Sequence, residues 1–406
     1  MTLAMPIQQQ VELIGKLHPW YTEWLAQLGL HTSVQNVAEL PLVTSEVLEQ
    51  GYYAVSSRTE PGLSVYRTSG TSSGKRKSIY YSESDDERYI DAKMTSFQEW
   101  LGSDLPSVRK ALADMGTGHA ASTAVTIFEK MGFVADSLSF SSPIEEHIAR
   151  LDTFKPDLLY TMPSILDGIA AAAPAPSAFG IKKIIVVGEI ATLEWQANMA
   201  ERFGIQRSDI LDTYGSIEIG AIAAYSHELG KYVLSEGLFA EALPAEQIDP
   251  SFSPLQDNEG VLVLTSFVRS MFPAIRFVTY DVVRDFETHI VNGVPRQTFR
   301  CISKRIGSEL KHGEKISLYD IEEVVNRYVH DAELRVRISG NKLAVHIKSK
   351  TLDEAMIETI QQAIEVKIPE IGEMIQNRIL SGIVVTKATD NEQLERGAVK
   401  AKKIYS

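Results

Sequence analysis

At 406 residues, with 44% hydrophobic and 23% charged residues, the chain has the composition of a globular protein of two or three domains. A net charge of −13 excludes a general nucleic-acid binder. The single cysteine, Cys301, excludes an intrachain disulfide framework and any multi-cysteine zinc site, and fits a cytoplasmic protein.

No basic start or long apolar run occupies Met1 to Gln10, so no signal peptide is expected. The apolar stretch from Gly168 to Gly180 holds Pro174 and Pro176 and is too short to span a bilayer, so no membrane segment is expected. Ile7, Val11 and Ile14 share one helix face, which Pro19 interrupts. Tyr21, Trp24, Leu25 and Leu28 form a second short helix whose aromatics read as core. Leu40-Pro41-Leu42-Val43-Thr44 then leads into a short helix near Ser45.

Leu63, Val65 and Arg67 alternate with polar neighbours as in a strand, and Ser78-Ile79-Tyr80-Tyr81 reads as its return. Between them runs Thr68-Ser69-Gly70-Thr71-Ser72-Ser73-Gly74-Lys75-Arg76-Lys77. Glycines let a backbone approach a ligand, and successive N–H groups can cradle an anion. The hydroxyls add donors and the cations add charge, which is chemistry for holding a polyphosphate. A polar hairpin loop with no ligand is the plain alternative. The spacing is not that of a Walker A loop, since three residues separate Gly70 from Gly74 and Arg76 follows Lys75. The acids of Ser82-Glu83-Ser84-Asp85-Asp86-Glu87 suit the first turn of a helix continued by Ile90, Met94, Phe97 and Leu101, and read as capping.

From Gly118 to Asp212 helices and strands alternate. A helix stops at Gly132, Phe133-Val134-Ala135 is a short strand, and Pro143 opens a helix with Ile144, Ile148 and Leu151 on one face. Leu158-Leu159-Tyr160 and Ile184-Ile185-Val186-Val187 are strands, Thr192 caps a helix that Gly204 stops, and Ile210-Leu211 is the next strand. Such units imply a parallel sheet covered by helices on both faces, with ligands beyond the strands' carboxyl ends. Gly188-Glu189 and Asp212-Thr213-Tyr214-Gly215-Ser216-Ile217-Glu218 follow two of these strands. An aromatic can stack on a base and a carboxylate can hold magnesium. A strand-end turn with a buried tyrosine reads equally well.

Gly260 to Ser266 and the stretch from Phe272 to Asp281 carry strands, the second ending in an aspartate placed to accept from two ribose hydroxyls or to start a turn. Lys304, Arg305, Lys311 and Lys315 crowd a stretch with Gly307 and Gly313, where the domain boundary is placed. Beyond it come a helix from Tyr319 to Tyr328, a hairpin across Gly340-Asn341, a helix from Leu352 to Val366, a strand at Ile383-Val384-Val385 and a basic tail.

Taken in order, these motifs resemble the adenylate-forming superfamily of acyl-CoA synthetases and adenylation enzymes along nearly the whole chain. The branch they resemble is the phenylacetate–CoA ligase-like one, through Leu40 to Thr44 ("LPxTTK"), Lys155-Pro156-Asp157 to Met162-Pro163-Ser164 ("KPT…TPS") and Ile321-Glu322-Glu323 ("IEE"). The resemblance implies an α/β fold with a large N-terminal domain (1–303) of parallel, helix-covered sheets plus a β-rich subdomain. A small mobile α+β domain (304–406) carries the catalytic lysine. It implies that Thr68, Ser69, Gly70, Thr71 and Lys75 handle the ATP phosphates. Gly188, Glu189, Asp212, Tyr214, Gly215 and Ser216 would form the adenine pocket, and Glu218 would hold Mg²⁺. Asp281 would bind the ribose and Arg305 would reach the nucleotide from the hinge. Lys400 matches the lysine of "GKAKRV", with Lys402 as rival because Gly397 is not adjacent to it. Gly116, His119 and Tyr160 are expected along the acid's pocket, with a structural role open for His119.

The implied reaction is activation of a carboxylic acid, aryl by the habit of the branch, to an acyl-adenylate with release of pyrophosphate. Transfer to a thiol of CoA or of a carrier protein's phosphopantetheine follows. Oligomeric state stays open, a homodimer included. Ser72-Ser73-Gly74-Lys75-Arg76 departs from the family's loop, and the hinge lacks the family aspartate near Ser308; the altered hinge suggests an alternative, a non-catalytic nucleotide-binding scaffold.

Overall fold

The computed structural model describes residues 4–30, 34–54, 61–67, 77–115, 119–307, 316–339, 342–368, 371, 382–388 and 404–405. Its contacts divide the chain into two interleaved units. One holds Met1–Leu101 and Thr213–Cys301; the other holds Gly102–Asp212 and Ile302–Ser406. Among the described residues no helix is long and apolar enough to cross a membrane.

The first unit begins with α1 (Ala4–Leu17), which buries Ile7, Val11 and Ile14, and α2 (Pro19–Gln27), which starts on Pro19. The short α3 (Ser45–Gln50) is capped by Thr44, whose Oγ1 accepts from the Val47 N–H at 3.3 Å. The expected hairpin forms: β1 (Leu63–Arg67) pairs antiparallel with β2 (Ser78–Ser82), Leu63 opposite Ser82 and Arg67 opposite Ser78. Then α4 (Glu83–Leu101) carries the acidic first turn.

In the second unit, strand and helix alternate as β3 (Lys110–Met115), α5 (His119–Lys130), β4 (Val134–Ser139), α6 (Ile144–Phe154), β5 (Leu158–Thr161), α7 (Pro163–Ala172), β6 (Lys183–Val187) and α8 (Leu193–Phe203). The strands are parallel in the order β4-β3-β5-β6. Strand residues alternate between faces. Leu112, Leu159, Ile184 and Val186 pack in one cluster with Leu151, Leu166, Trp195 and Met199 of α6 to α8. Tyr160, of opposite parity, meets Phe128 of α5 edge-on at 6.1 Å, so helices cover both faces. Gly204, in the left-handed region at φ 70°, ends α8.

At the carboxyl end of this sheet His147 and Asp114 are both fully buried, with His147 Nδ1 and Asp114 Oδ1 2.6 Å apart. Burial opposes a charge on His147, but the Asp114 hydrogen bond and charge outweigh it and lift its pKa above the ordinary histidine value. A raised folded-state pKa gives stability that is complete below about pH 6.5 and is lost as pH rises through the raised value. Melting temperatures measured from pH 6 upward should therefore fall more steeply for wild type than for His147→Gln. Parallel curves would remove His147 from the account.

β7 (Ile210–Ser216) runs from one unit into the other, its last four residues belonging to the first. There it pairs with β8 (Gly220–Ser226), which pairs with β9 (Lys231–Leu234). Next in sequence come β10 (Leu238–Leu243), the one-turn α9 (Ala245–Ile248), β11 (Glu259–Ser266), β12 (Phe277–Arg284), β13 (Glu287–Val291) and β14 (Val294–Phe299). The antiparallel orders are β7-β8-β9-β14-β13 and β10-β11-β12. Strand-rich chain thus begins before Gly260: β8, β9 and β10 were not expected from the sequence.

The C-terminal part follows β15 (Cys301–Arg305) with α10 (Leu318–Tyr328), β16 (Glu333–Ser339), β17 (Lys342–Lys348), α11 (Glu354–Lys367), β18 (Gly382–Lys387) and β19 (Ile404–Tyr405). The sheet order is β18-β17-β16-β19, with the β16–β17 hairpin in the expected register, Leu334 opposite Ile347. Ile321, Val325, Val345, Ile360, Ile364 and Ile383 lie in its core. In this structure α10 lies on α8, where the Asn198 Nδ2 donates to the Asn326 carbonyl at 3.0 Å.

Candidate functional site

Tyr214, Gly215 and Ser216 lie inside β7, not after it, because the strand continues into a hairpin with β8. Ser216 pairs with Gly220, leaving Ile217-Glu218-Ile219 as the turn, and Ile219 N–H donates to Ser216 Oγ at 3.2 Å. A Cβ on Gly215 would lie 2.6 Å from the Gly220 carbonyl oxygen, so the close crossing requires glycine there. Glu218 is therefore presented at a turn tip, half-buried. The Tyr53 hydroxyl lies near it: burial first, and the Glu218 charge second, push that hydroxyl far above its ordinary pKa.

Asp281 is not strand-terminal as expected, since β12 continues to Arg284. Its position comes from a bulge. Val261 pairs with Val282 and Val263 with Val278, so one residue of β11 faces three of β12. Within the bulge Tyr280 takes the left-handed conformation at φ 63°, and Thr279 Oγ1 accepts from the Asp281 N–H at 3.1 Å. The bulge aims Asp281 at Tyr214, whose hydroxyl donates to Asp281 Oδ2 at 2.5 Å. Behind the Tyr214 ring, Phe299 sits edge-on at 6.3 Å and stacks in turn on Tyr232 at 5.1 Å. A braced ring, a carboxylate and an acidic turn tip thus occupy one unit.

In the second unit Gly188 follows β6 at φ 88°, a conformation that favours glycine. Both oxygens of the adjacent Glu189 carboxylate accept from Ser164, the backbone N–H at 2.8 Å and Oγ at 3.0 Å. Glu189 thereby caps the positive end of α7 and ties two strand ends together. Asp212 is buried in β7, Tyr160 is buried against Phe128, and Arg305 ends β15 exposed. Thr68, Ser69, Gly70, Thr71, Lys75, Gly116, Lys400 and Lys402 lie outside the described residues. His119 opens α5, but its side chain lies outside them as well.

Sequence reading missed the centre that supports this turn. Asp85 does more than cap α4: it is buried, accepts from the Ser270 and Met271 N–H groups at 2.8 and 3.0 Å, and forms an ion pair with buried Arg269. Burial alone would raise its pKa, yet the Arg269 charge and these backbone donors outweigh burial and hold it below the ordinary aspartate value. No local pattern could have indicated a pair 184 residues apart.

Residues 311–390 match the family "Fumarate–diaminopropanoate ligase C-terminal domain". A fumarate–(S)-2,3-diaminopropanoate ligase from Enterobacter agglomerans is 37% identical over 381 residues, covering 93% of this chain and 94% of that relative. A phenylacetate–coenzyme A ligase from Aromatoleum evansii is 26% identical over 290 residues, 66% of this chain and 62% of the relative. The crystal structure of a 2-hydroxyisobutyryl-CoA ligase in its postadenylation state, with R3-HIB-AMP, has a similar fold: TM-score 0.73 at 18% identity, over 99% of this chain and 88% of that one.

Proposed function

The chain belongs to the adenylate-forming ligases, in the phenylacetate–CoA ligase-like branch, and from that premise we propose that it activates a small carboxylic acid with ATP and passes the acyl group to an amine. The observation that supports the nucleotide reading best is the Tyr214–Asp281 hydrogen bond, which brings together, from 67 residues apart, the ring and the carboxylate read as the adenine and ribose contacts. The amine, in place of the thiol expected from sequence, is supported by the relative that is 37% identical over almost the whole of both chains. That relative is a ligase of a dicarboxylate, fumarate, and a diamino acid. An acyl-adenylate intermediate gives such partners an amide bond.

The chemical problem is to bring a carboxylate anion onto an anionic phosphate and to stabilise the departing pyrophosphate. Thr71 and its neighbours would donate to the β- and γ-phosphates. Tyr214 would pack on the adenine, and Asp281 would accept from the ribose hydroxyls. Among the described residues no group of three or more metal-ligating side chains stands together. A lone half-buried Glu218 suits Mg²⁺, which is commonly held by one or two carboxylates and by substrate phosphates. When bound, Mg²⁺ would neutralise charge on the leaving pyrophosphate. Lys400 would bridge the acid's carboxylate and the α-phosphate as the carboxylate attacks in line. The amine then attacks the acyl carbon, AMP leaves with its phosphate oxygen, and the amine's proton goes to solvent. Rotation of residues 304–406 between these half-reactions is part of the proposal.

ATP–pyrophosphate exchange with fumarate, phenylacetate and other small acids tests the first half. Mass analysis with (S)-2,3-diaminopropanoate and with CoA tests the second. Exchange with a small acid and an amide product is expected. A thioester with CoA and no amide would restore the thiol reading. ATP binding without exchange for any acid would favour the scaffold alternative.

A further inference from the structure

We propose that Arg269 and Tyr81 are positioning residues for the first half-reaction, holding the Glu218 turn at a set distance from β2. The inference rests on the reading of Glu218 as the carboxylate beside Mg²⁺. Arg269 is 2% exposed and spends its rigid guanidinium in three directions. Nη1 is paired with Asp85, Nη2 donates to the Tyr80 carbonyl at 2.5 Å, and Nε donates to the Glu218 carbonyl at 3.1 Å. The guanidinium also lies over the Tyr81 ring, 3.5 Å from its centroid. The Tyr81 hydroxyl donates to the Ile217 carbonyl at 2.8 Å.

Two carbonyls of the turn, those of Ile217 and Glu218, are thus held by side chains that lie on β2 or bond to it. That strand returns from the loop read as phosphate-binding. Donors aimed at backbone carbonyls cannot specify a ligand by themselves; what they set is where the Glu218 carboxylate stands. An error of about 1 Å in such placement can cost about 10²-fold in rate. None of the bonds and contacts named above runs to Tyr214 or Asp281, so the nucleoside end of the site should be the less sensitive to them.

Tyr81→Phe keeps the ring under the guanidinium and removes only the hydroxyl that meets Ile217. Its kcat/KM for Mg·ATP in pyrophosphate exchange should fall about 5- to 10-fold, with a higher Mg²⁺ requirement. Affinity for AMP, measured by calorimetry, should stay within about 2-fold, the Tyr214–Asp281 contact being untouched. Arg269→Lys, which keeps a charge for Asp85 but cannot reach three acceptors at once, should show the same split more strongly. Wild-type Mg·ATP kinetics in Tyr81→Phe would overturn the inference, and so would an equal loss of ATP and AMP, the mark of general loosening. Absence of exchange in wild type itself, with every acid, would sink the functional reading first and the inference with it.

Discussion

Lys400→Ala is expected to lower ATP–pyrophosphate exchange by about 10²–10³-fold, the typical loss when one donor to transition-state charge is removed. The reasoning is electrostatic. Two anions must meet, and a cation between carboxylate and α-phosphate acts only while both are present. The second half-reaction has no such encounter, so acyl transfer from a supplied acyl-adenylate should proceed in Lys400→Ala at close to the wild-type rate. Lys402→Ala is the internal comparison, because Lys402 stands two positions further along the same basic tail and is the rival for the role. If the loss follows Lys402, the role moves there; if neither substitution slows exchange, no tail lysine takes part.

The largest effect on stability is expected at Asp85. Its carboxylate pairs with Arg269 and accepts backbone donors from Ser270 and Met271, all in the buried centre of the first unit. Asp85→Ala leaves the guanidinium charge buried and the Ser270 and Met271 N–H groups unmet, and breaking a buried pair on one side typically costs about 3–5 kcal/mol. That is a large share of the roughly 5–15 kcal/mol by which domains are stable. Replacing both partners together, as Asp85→Leu with Arg269→Met, removes the uncompensated charge and should cost less than Asp85→Ala alone. Urea unfolding of the three proteins checks the order. A double variant no more stable than the single one would show that the pair matters through its backbone contacts, with the charge secondary.

The two experiments separate the chemistry from the scaffold that carries it. On the proposed reading Lys400 serves the reaction and Asp85 the frame, with Arg269 and Tyr81 as positioning residues. A variant of Asp85 that folds at low temperature should still exchange pyrophosphate, though with the weakened Mg·ATP handling expected of a displaced turn.

Much of the fold was legible because the signals are local. Ile144, Ile148 and Leu151 share a helix face, Thr192 and Gly204 bracket α8, and Gly340-Asn341 sits between two alternating strands; each needs only neighbours within a few residues. The same logic failed at β8, β9 and β10, whose short strands lack a clean alternation and depend on partners in the sheet. It failed again at Asp281, where the sequence reads as a strand end. The register of β11 against β12 instead forces a bulge, with Tyr280 at positive φ.

By itself, then, the sequence determined the order of the motifs and the alternation of strand and helix from Gly118 to Asp212, since these follow from residue type and spacing along the backbone; the adenylate-forming character was implied by the resemblance those motifs carry. The tertiary structure alone decided that the Tyr214 hydroxyl meets Asp281, that Glu189 is held by Ser164, and that Arg269 ties Asp85 to the Glu218 turn. Hydrogen bonds between residues 67 and 184 apart depend on strand register, on a bulge and on the burial of an ion pair. None of those leaves a periodic trace, because the free energy that selects them is released only when distant segments exclude water together.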